Sequence, residues 1–431
     1  MKITIAGTGY VGLVTGVCLA EVGHENVVCL DVDKQKVDLM KDGVSPIYEE
    51  HLEELMKKNY EKGRIDYTTN YKDAYKDADI IMIAVGTPER SDGSANLDYI
   101  KKVAKQIASS VTKDTLVVIK STVPIGTNDA IEKFIRENLK NNVRIELASN
   151  PEFLSQGTAV MDTLNASRIV IGVESEWAKN ILEEVYKPFN QPIVVTNRNS
   201  AEMIKYASND FLALKISFMN DIANLCEIVG ANIEDVAKGM SYDERIGSKF
   251  LKAGIGYGGS CFPKDTKALH WLASHNGYEL KTVKAAIEVN ESQKLRLVRK
   301  AANLVESFDG MKVCVLGLTF KPETDDLREA PSIPNIQYLL ERGAEVVAYD
   351  PVGIENAKKI FKDSITYTTS IDEAIEDADI CFIMTEWKQI LNYDISNYKH
   401  KMKRPLVFDG RNCYTLDTMK DLGIEYYSIG R

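Results

Sequence analysis

The chain has 431 residues, enough for about three domains at roughly 150 residues each, and its 44% hydrophobic and 27% charged content excludes a disordered, collagen-like or disulfide-rich class. Its 53 Lys and Arg against 63 Asp and Glu leave a net charge of −10, a poor match for a protein whose main partner is nucleic acid. No apolar run approaches the ~18 residues of a membrane helix, and Met1-Lys2-Ile3-Thr4-Ile5-Ala6-Gly7 reads as a strand entering a glycine turn rather than a signal peptide. A cytoplasmic protein with no membrane partner is expected.

From the start, short β-branched runs alternate with helical periodicity: a strand at 2–6, a helix at 13–22, a strand at 26–31, a helix from 34, then strands at 80–85 and 116–120. Such alternation specifies a parallel, doubly wound sheet. Strand-like runs at 144–149 and 168–172 extend it. From 200 to 229 the pattern becomes one long helix without Pro or Gly, with Ile204, Phe211, Leu214, Phe218, Ile222, Leu225 and Val229 at three- and four-residue steps. Its wide apolar surface suits a domain connector and a dimer interface. Helical pattern continues at 233–239, breaks at a glycine-rich loop over 254–259, and resumes at 264–276 and 282–307.

At Met311 the strand-turn pattern returns. Met311-Lys312-Val313-Cys314-Val315-Leu316-Gly317 echoes the first seven residues, and Asp377-Ala378-Asp379-Ile380 echoes Asp77-Ala78-Asp79-Ile80. The fold class is therefore α/β: two Rossmann-like doubly wound α/β domains joined by a helical domain containing a long central helix. The domains are placed at 1–196, 197–305 and 306–431.

Gly7-Thr8-Gly9-Tyr10-Val11-Gly12 lies between a strand and a helix, and Asp31 follows the next strand. In this context the glycines permit a tight turn and close approach of a pyrophosphate to the helix N-terminus, while Asp31 accepts hydrogen bonds from a ribose. An acid at Asp31 repels a 2′-phosphate and favours NAD over NADP, an inference that Lys34 and Lys36 weaken slightly. The second α/β unit has one glycine, Gly317, where the first has three, and should bind something other than a second NAD. Lys321, Arg328 and Arg411 follow its strand-like runs, where cations suit a phosphate-bearing ligand; for any one of them alone a solvated surface charge is the more common explanation, and their shared position at strand ends favours the ligand for the group.

Seven cysteines form no C-x-x-C pair and are widely scattered, so neither zinc nor a disulfide framework is indicated. Five sit in apolar runs. Cys261 instead lies in Gly254-Ile255-Gly256-Tyr257-Gly258-Gly259-Ser260-Cys261-Phe262-Pro263-Lys264-Asp265, at the N-terminus of a helix. There the helix dipole and Lys264 favour the thiolate, the form that attacks carbon, and Asp265 is a proton carrier or water-orienting group. Lys205 and Asn209 share one face of the long helix, where a buried lysine beside an amide can steady an oxyanion or deliver a proton. Glu152, in Asn150-Pro151-Glu152-Phe153-Leu154, and Thr122, in Ser121-Thr122-Val123-Pro124, stand at strand ends as candidate acid or base and water or cofactor contact. The five histidines form no triad-like or metal-like arrangement, so no metal is expected.

Together with Val85-Gly86-Thr87-Pro88, these motifs in this order resemble the nucleotide-sugar 6-dehydrogenases, the UDP-glucose/GDP-mannose dehydrogenase family, over nearly the whole chain. The resemblance implies a four-electron oxidation of UDP-glucose at C6 to UDP-glucuronate, a polysaccharide precursor, using two NAD and one water. It implies that Cys261 is the nucleophile, that Lys205, Asn209 and Asp265 assist proton transfer, and that Glu152 and Thr122 handle water. Gly7, Gly9, Tyr10, Val11, Gly12, Asp31, Lys36, Thr87, Thr122, Lys264 and Arg328 match NAD contacts. Glu152, Phe153, Leu154, Lys205, Asn209, Phe250, Leu251, Lys252, Gly258, Lys321 and Arg411 match the UDP-sugar site, and Arg245 matches an arginine supplied across a homodimer interface in the central helical domain. Where many relatives carry a second glutamate this chain has Gln156, an amide that cannot act as a base and is assigned to the cofactor. Rival expectations are a relative acting on GDP-mannose or a UDP-hexosamine, a two-electron hydroxyacid dehydrogenase, and a non-catalytic nucleotide sensor.

Overall fold

Apolar strands buried on both faces can only sit inside a sheet covered by helices, and two such sheets organise the chain. The computed structural model describes all 431 residues. The first sheet has eight strands: β1 (Ile3–Ala6), β2 (Val27–Leu30), β3 (Ile65–Thr68), β4 (Ile80–Ile83), β5 (Thr115–Ile119), β6 (Ile145–Ser149), β7 (Ile169–Gly172) and β8 (Ile193–Thr196), in the order β3-β2-β1-β4-β5-β6-β7-β8. The order reverses direction at β1 and β4, the crevice where sheets of this kind receive a ligand. The second has six parallel strands, β9 (Lys312–Leu316), β10 (Glu345–Tyr349), β11 (Thr366–Thr368), β12 (Ile380–Ile383), β13 (Leu406–Asp409) and β14 (Glu425–Tyr427), in the order β11-β10-β9-β12-β13-β14.

The first sheet departs from the all-parallel expectation at one place. β6 and β7 meet antiparallel through the single pair Ser149 and Gly172, so β7 and β8 form a parallel pair set in reverse against the rest. A short buried apolar run reads alike in either direction, which is why the sequence pattern does not reveal the reversal. Gly172 also admits the long helix: a Cβ there would stand 2.6 Å from that of Ala201 and 2.9 Å from Arg198 Cα.

The long helix runs over Arg198–Val229. Asn197 caps it by accepting the Ser200 N–H at 2.7 Å, and Arg198 ties its start to Asp129, Glu132 and Glu174. It stops at Gly230, whose φ of +74° lets the Ala231 N–H turn back to the Cys226 carbonyl at 3.0 Å.

The chain divides into two compact units, Met1–Ser208 and Asn209–Arg431, with the division inside the long helix. In the second unit the helical segment has no core of its own. Met219, Ala223 and Cys226 of the long helix, with Leu251, Ala253 and Ile255, share one apolar cluster with Val313, Val315, Phe382 and Phe408 of the second sheet. The last residues stitch the same segment together, Gly430 O accepting the Ile233 N–H at 2.9 Å and Ser428 O accepting Lys300 Nζ at 2.5 Å.

The turn after β1 is the tightest part of the first unit. A Cβ on Gly12 would lie 1.9 Å from the Gly7 carbonyl oxygen, which no side-chain rotation can relieve. Gly12→Val is expected to destabilise the protein by about 3 kcal/mol, read as a lowered urea midpoint, with loss of dinucleotide binding.

Candidate active site

In the first unit, β1 delivers the chain into Gly7, where a φ of +99° and the Ala84 carbonyl, 2.8 Å from any Cβ, admit only glycine. Gly9 is the N-cap of the helix Tyr10–Glu21, with no side chain capping it and no atom within 4 Å of its missing Cβ. No side chain therefore closes this helix N-terminus, the kind of place where a pyrophosphate binds. Tyr10 Oη donates to the Tyr48 carbonyl at 2.8 Å, and Val11 packs half-buried on the sheet core.

At the end of β2, Asp31 accepts the Thr8 N–H at 2.9 Å and its hydroxyl at 2.6 Å on one oxygen, and the Asp33 N–H at 3.0 Å on the other. Burial pushes its carboxyl up, but these hydrogen bonds and the nearby Lys36 outweigh burial and hold it below the usual range. It is an anion at neutral pH, as a ribose acceptor must be. Thr87 and Thr122 are joined, the Thr87 hydroxyl donating to the Thr122 carbonyl at 2.9 Å. Gln156 is buried beside Gly157, whose N–H is held by Glu49 at 2.7 Å. These residues fit a dinucleotide.

The β6 turn presents the charged part of the same unit. One oxygen of Glu152 accepts Lys205 Nζ at 2.9 Å and the other accepts the Leu154 N–H at 2.9 Å. Lys205 is 3% exposed. Phe153 lies beneath the Arg168 guanidinium at 3.7 Å, with Lys205 Nζ 5.5 Å from its ring centre. Below this turn is a residue that the sequence patterns did not single out. Lys120 directly follows β5, and its buried ammonium reaches Asn150 Oδ1 at 2.9 Å and Tyr186 Oη at 3.4 Å. The available signal was a lysine directly after the apolar run Leu116–Ile119 of a central strand, where a solvated charge has no place.

In the second unit, Gly256 and Gly259 take φ of +90° and +83°, and a Cβ on Gly258 would lie 2.4 Å from the Glu329 carbonyl oxygen. The loop so formed ends at Cys261, the N-cap of the helix Phe262–His275, with Pro263 in its first turn. Cys261 is exposed; the other six cysteines are buried or half-buried. Asp265, 1% exposed, accepts Asn209 Nδ2 at 2.7 Å and also pairs with Lys264. Lys264, expected beside the thiol, thus has its ammonium on a carboxylate.

Of the other expected ligand residues, Leu251 is buried, Phe250 takes a φ of +64°, and Lys252 is exposed. Lys321 Nζ lies 5.7 Å from the Phe320 ring centre. Arg328 is paired with Asp326 two residues before it, and Arg245 with Asp243 at 2.7 Å on an exposed turn. Arg411 donates to the carbonyls of Met384 at 2.9 Å and of Gly256 and Phe320 at 3.2 Å, so it fastens the glycine loop. In the second sheet Asp350 occupies the position that Asp31 holds in the first, after the second strand. Its oxygens accept N–H groups of Leu318, Val352 and Gly353 and the Trp387 indole, leaving none for a ribose.

Asp210, also absent from the sequence-derived set, is buried beside Asn209, and neither of its oxygens has a hydrogen-bond donor in the protein. Burial first, and Asp265 second, push its carboxyl up to about 8 against the opposing effect of Lys264. An acid directly after Asn209, in the helix that already carries the candidates Lys205 and Asn209, was the available signal.

Three family models match the chain in order: UDP-glucose/GDP-mannose dehydrogenase family, NAD binding domain over 1–190, central domain over 199–292, and UDP binding domain over 314–416. UDP-glucose 6-dehydrogenase YwqF of Bacillus subtilis is 53% identical over 431 residues, covering 100% of this chain and 98% of its own. The chain belongs to the UDP-glucose/GDP-mannose dehydrogenase family. A second family member in the same organism, UDP-glucose 6-dehydrogenase TuaD, is 47% identical, covering 100% of this chain and 93% of its own. The solved UDP-glucose dehydrogenase of Pyrobaculum islandicum aligns with a TM-score of 0.92 at 36% identity, covering 99% of this chain and 96% of its own. As in the family, the first segment binds NAD.

The raised Asp210 carboxyl links stability to pH. The folded state keeps a proton that the unfolded chain releases near the ordinary value of 3.8, so the proton's contribution is complete below that pH and is lost as pH rises through about 8. Asp210→Asn, which cannot ionise, should melt about 3 °C or more above the wild type at pH 8.5, with the two converging toward pH 4 in thermal scans.

Proposed function

We propose that the chain oxidises the C6 alcohol of UDP-glucose to the carboxylate of UDP-glucuronate, with Cys261 as the nucleophile that makes the second oxidation possible. The carrying observation is the placement of the one exposed thiol at a helix N-cap, four residues before a buried Asp265 held by Asn209. NAD, when bound, takes up each hydride leaving C6. After the first hydride and a proton depart, the aldehyde has no second hydride to give until a nucleophile makes it tetrahedral. The Cys261 thiolate adds to that carbon and forms a thiohemiacetal. Loss of the second hydride and of the hydroxyl proton leaves a thioester, and water cleaves it to the carboxylate and the free thiol.

The chain's other groups serve these steps in distinct ways. Lys205 carries a proton at the C6 oxygen or steadies that oxygen as an anion, with Glu152 answering its charge. Asn209 and Asp265 orient groups at the thiol, and Thr122 and Glu152 handle the hydrolytic water. Gly7, Gly9, Tyr10, Val11, Gly12, Asp31, Lys36, Thr87, Gln156, Lys264 and Arg328 are assigned to NAD. Phe153, Leu154, Phe250, Leu251, Lys252, Gly258 and Lys321 are assigned to the UDP-sugar, with Arg411 holding the loop. The work is divided as NAD over 1–196, nucleophile and dimer contacts over 197–305, and UDP-sugar over 306–431. The named activity of the close Bacillus relatives supports the choice of UDP-glucose.

Phe211, Phe218 and Leu225 recur every seven residues on one face of the long helix, 61%, 51% and 51% exposed, with Ile228 and Val229 beyond them. A stripe of this kind buries itself against its own copy in a two-fold pair, which supports a homodimer with Arg245 reaching the partner's site. No helix is long and apolar enough to cross a membrane.

Two NADH should form per UDP-glucose in an end-point assay, and Cys261→Ser should lower turnover at least a thousandfold. One NADH per substrate, with the serine variant active, would instead identify a two-electron dehydrogenase. Phe218→Glu places a charge in the apolar stripe and should convert a dimer to a monomer in sedimentation velocity; an unchanged dimer would move the interface elsewhere.

A further inference from the structure

The first unit buries two lysines against one carboxylate. Lys205 and Glu152 answer each other at 2.9 Å, at 3% and 10% side-chain exposure. Lys120, 6% exposed, has no such partner: its ammonium meets Asn150 Oδ1 at 2.9 Å, the Asn150 carbonyl at 3.4 Å and Tyr186 Oη at 3.4 Å, all neutral acceptors. Tyr186, at the end of the helix Glu176–Tyr186, also donates its hydroxyl to Asn150 Oδ1, and burial pushes its phenol up so that it remains neutral. Asn150 Nδ2 donates to the Val170 carbonyl at 2.8 Å. The amide is thus fixed on three sides, two residues before Glu152.

We propose that Lys120 is a positioning residue: its hydrogen bonds hold the turn that presents Glu152, and its charge sets the proton affinity of the Glu152–Lys205 pair. The inference rests on the reading that this pair serves the reaction. The charged groups that face Lys120 are Glu152 and Lys205, which act on it in opposite directions. Burial is the largest effect and pushes its ammonium down to about 8, so Lys120 is a charge that mildly alkaline solution removes.

The direction of the effect follows from Coulomb's law in a poorly solvated site. A cation beside the pair makes protonation of Lys205 less favourable and ionisation of Glu152 more favourable. Without that cation both groups hold protons more tightly. Any step that needs either group as a base then loses rate at a higher pH, and the acid limb of the rate profile moves upward.

The test is kcat against pH for the full chain with NAD and UDP-glucose. Lys120→Gln keeps a donor toward Asn150 and discards the charge; its acid limb should move up by about one pH unit. Lys120→Arg keeps the charge and should leave the limb at the wild-type pH, even at reduced rate. Thermal melting reports whether each variant is folded. Where glutamine is not tolerated, Asn150→Asp cancels the lysine's charge from the neighbouring position and should move the limb in the same direction. An unmoved limb in either folded variant overturns the proposal, as does an arginine variant that shifts as far as glutamine. Wild-type turnover in Lys205→Ala would instead remove the catalytic reading of the pair, a failure distinct from that of Lys120.

Discussion

Burying a lysine is costly unless a carboxylate answers its charge or acceptors take up its hydrogens, and the β6 turn is built around that constraint. Lys205 sits on the long helix and nearly out of reach of water, so Glu152 must stand opposite it. Glu152 in turn is steadied by the Leu154 N–H, and the turn that carries both is anchored through Asn150 to Lys120, Tyr186 and Val170. A buried ion pair adds little net stability over a well-packed apolar pair, whereas removing one partner costs about 3–5 kcal/mol. A chain under selection for stability alone would have no use for the arrangement.

The two sheets show the same topology put to different uses by small local changes. After β2, Asp31 is held as an anion by Thr8 and by a turn N–H. After β10, Asp350 is enclosed completely and its hydrogen-bonding capacity is absorbed by backbone and the Trp387 indole. The first keeps an anion that the proposed ribose contact would use, and the second is a structural joint. A net charge of −10 is compatible with anionic ligands for a related reason: open helix N-termini and single cations act within a few ångströms, where the distant excess of carboxylates is screened.

The thiol and the acid near it illustrate how neighbouring carboxyls are kept apart in role. Asp265 has an amide and an ammonium for partners, while Asp210, one residue beyond Asn209, has none. Two ionised carboxylates in so dry a place repel each other strongly, and the unpartnered one retains its proton. The second unit thereby holds a paired carboxyl and an unpartnered one within one turn of helix of each other's supports.

Local chemistry made much of this protein legible from its sequence. The glycine fingerprint, the long helix without Gly or Pro, and Cys261 at a helix start are each determined by residues near one another in sequence, through turn geometry, periodicity and capping, and Asp31 follows at the end of the next strand. Tertiary structure alone decided the rest. The reversal between β6 and β7 depends on which edge of the sheet a run joins, and an apolar run carries no record of direction. Lys120 acquires its role from Tyr186, 66 positions away, and Arg411 is committed to carbonyls 155 and 91 positions away. Whether a cation meets water, a carbonyl or a carboxylate is settled only when distant segments pack, and its chemistry is settled with it.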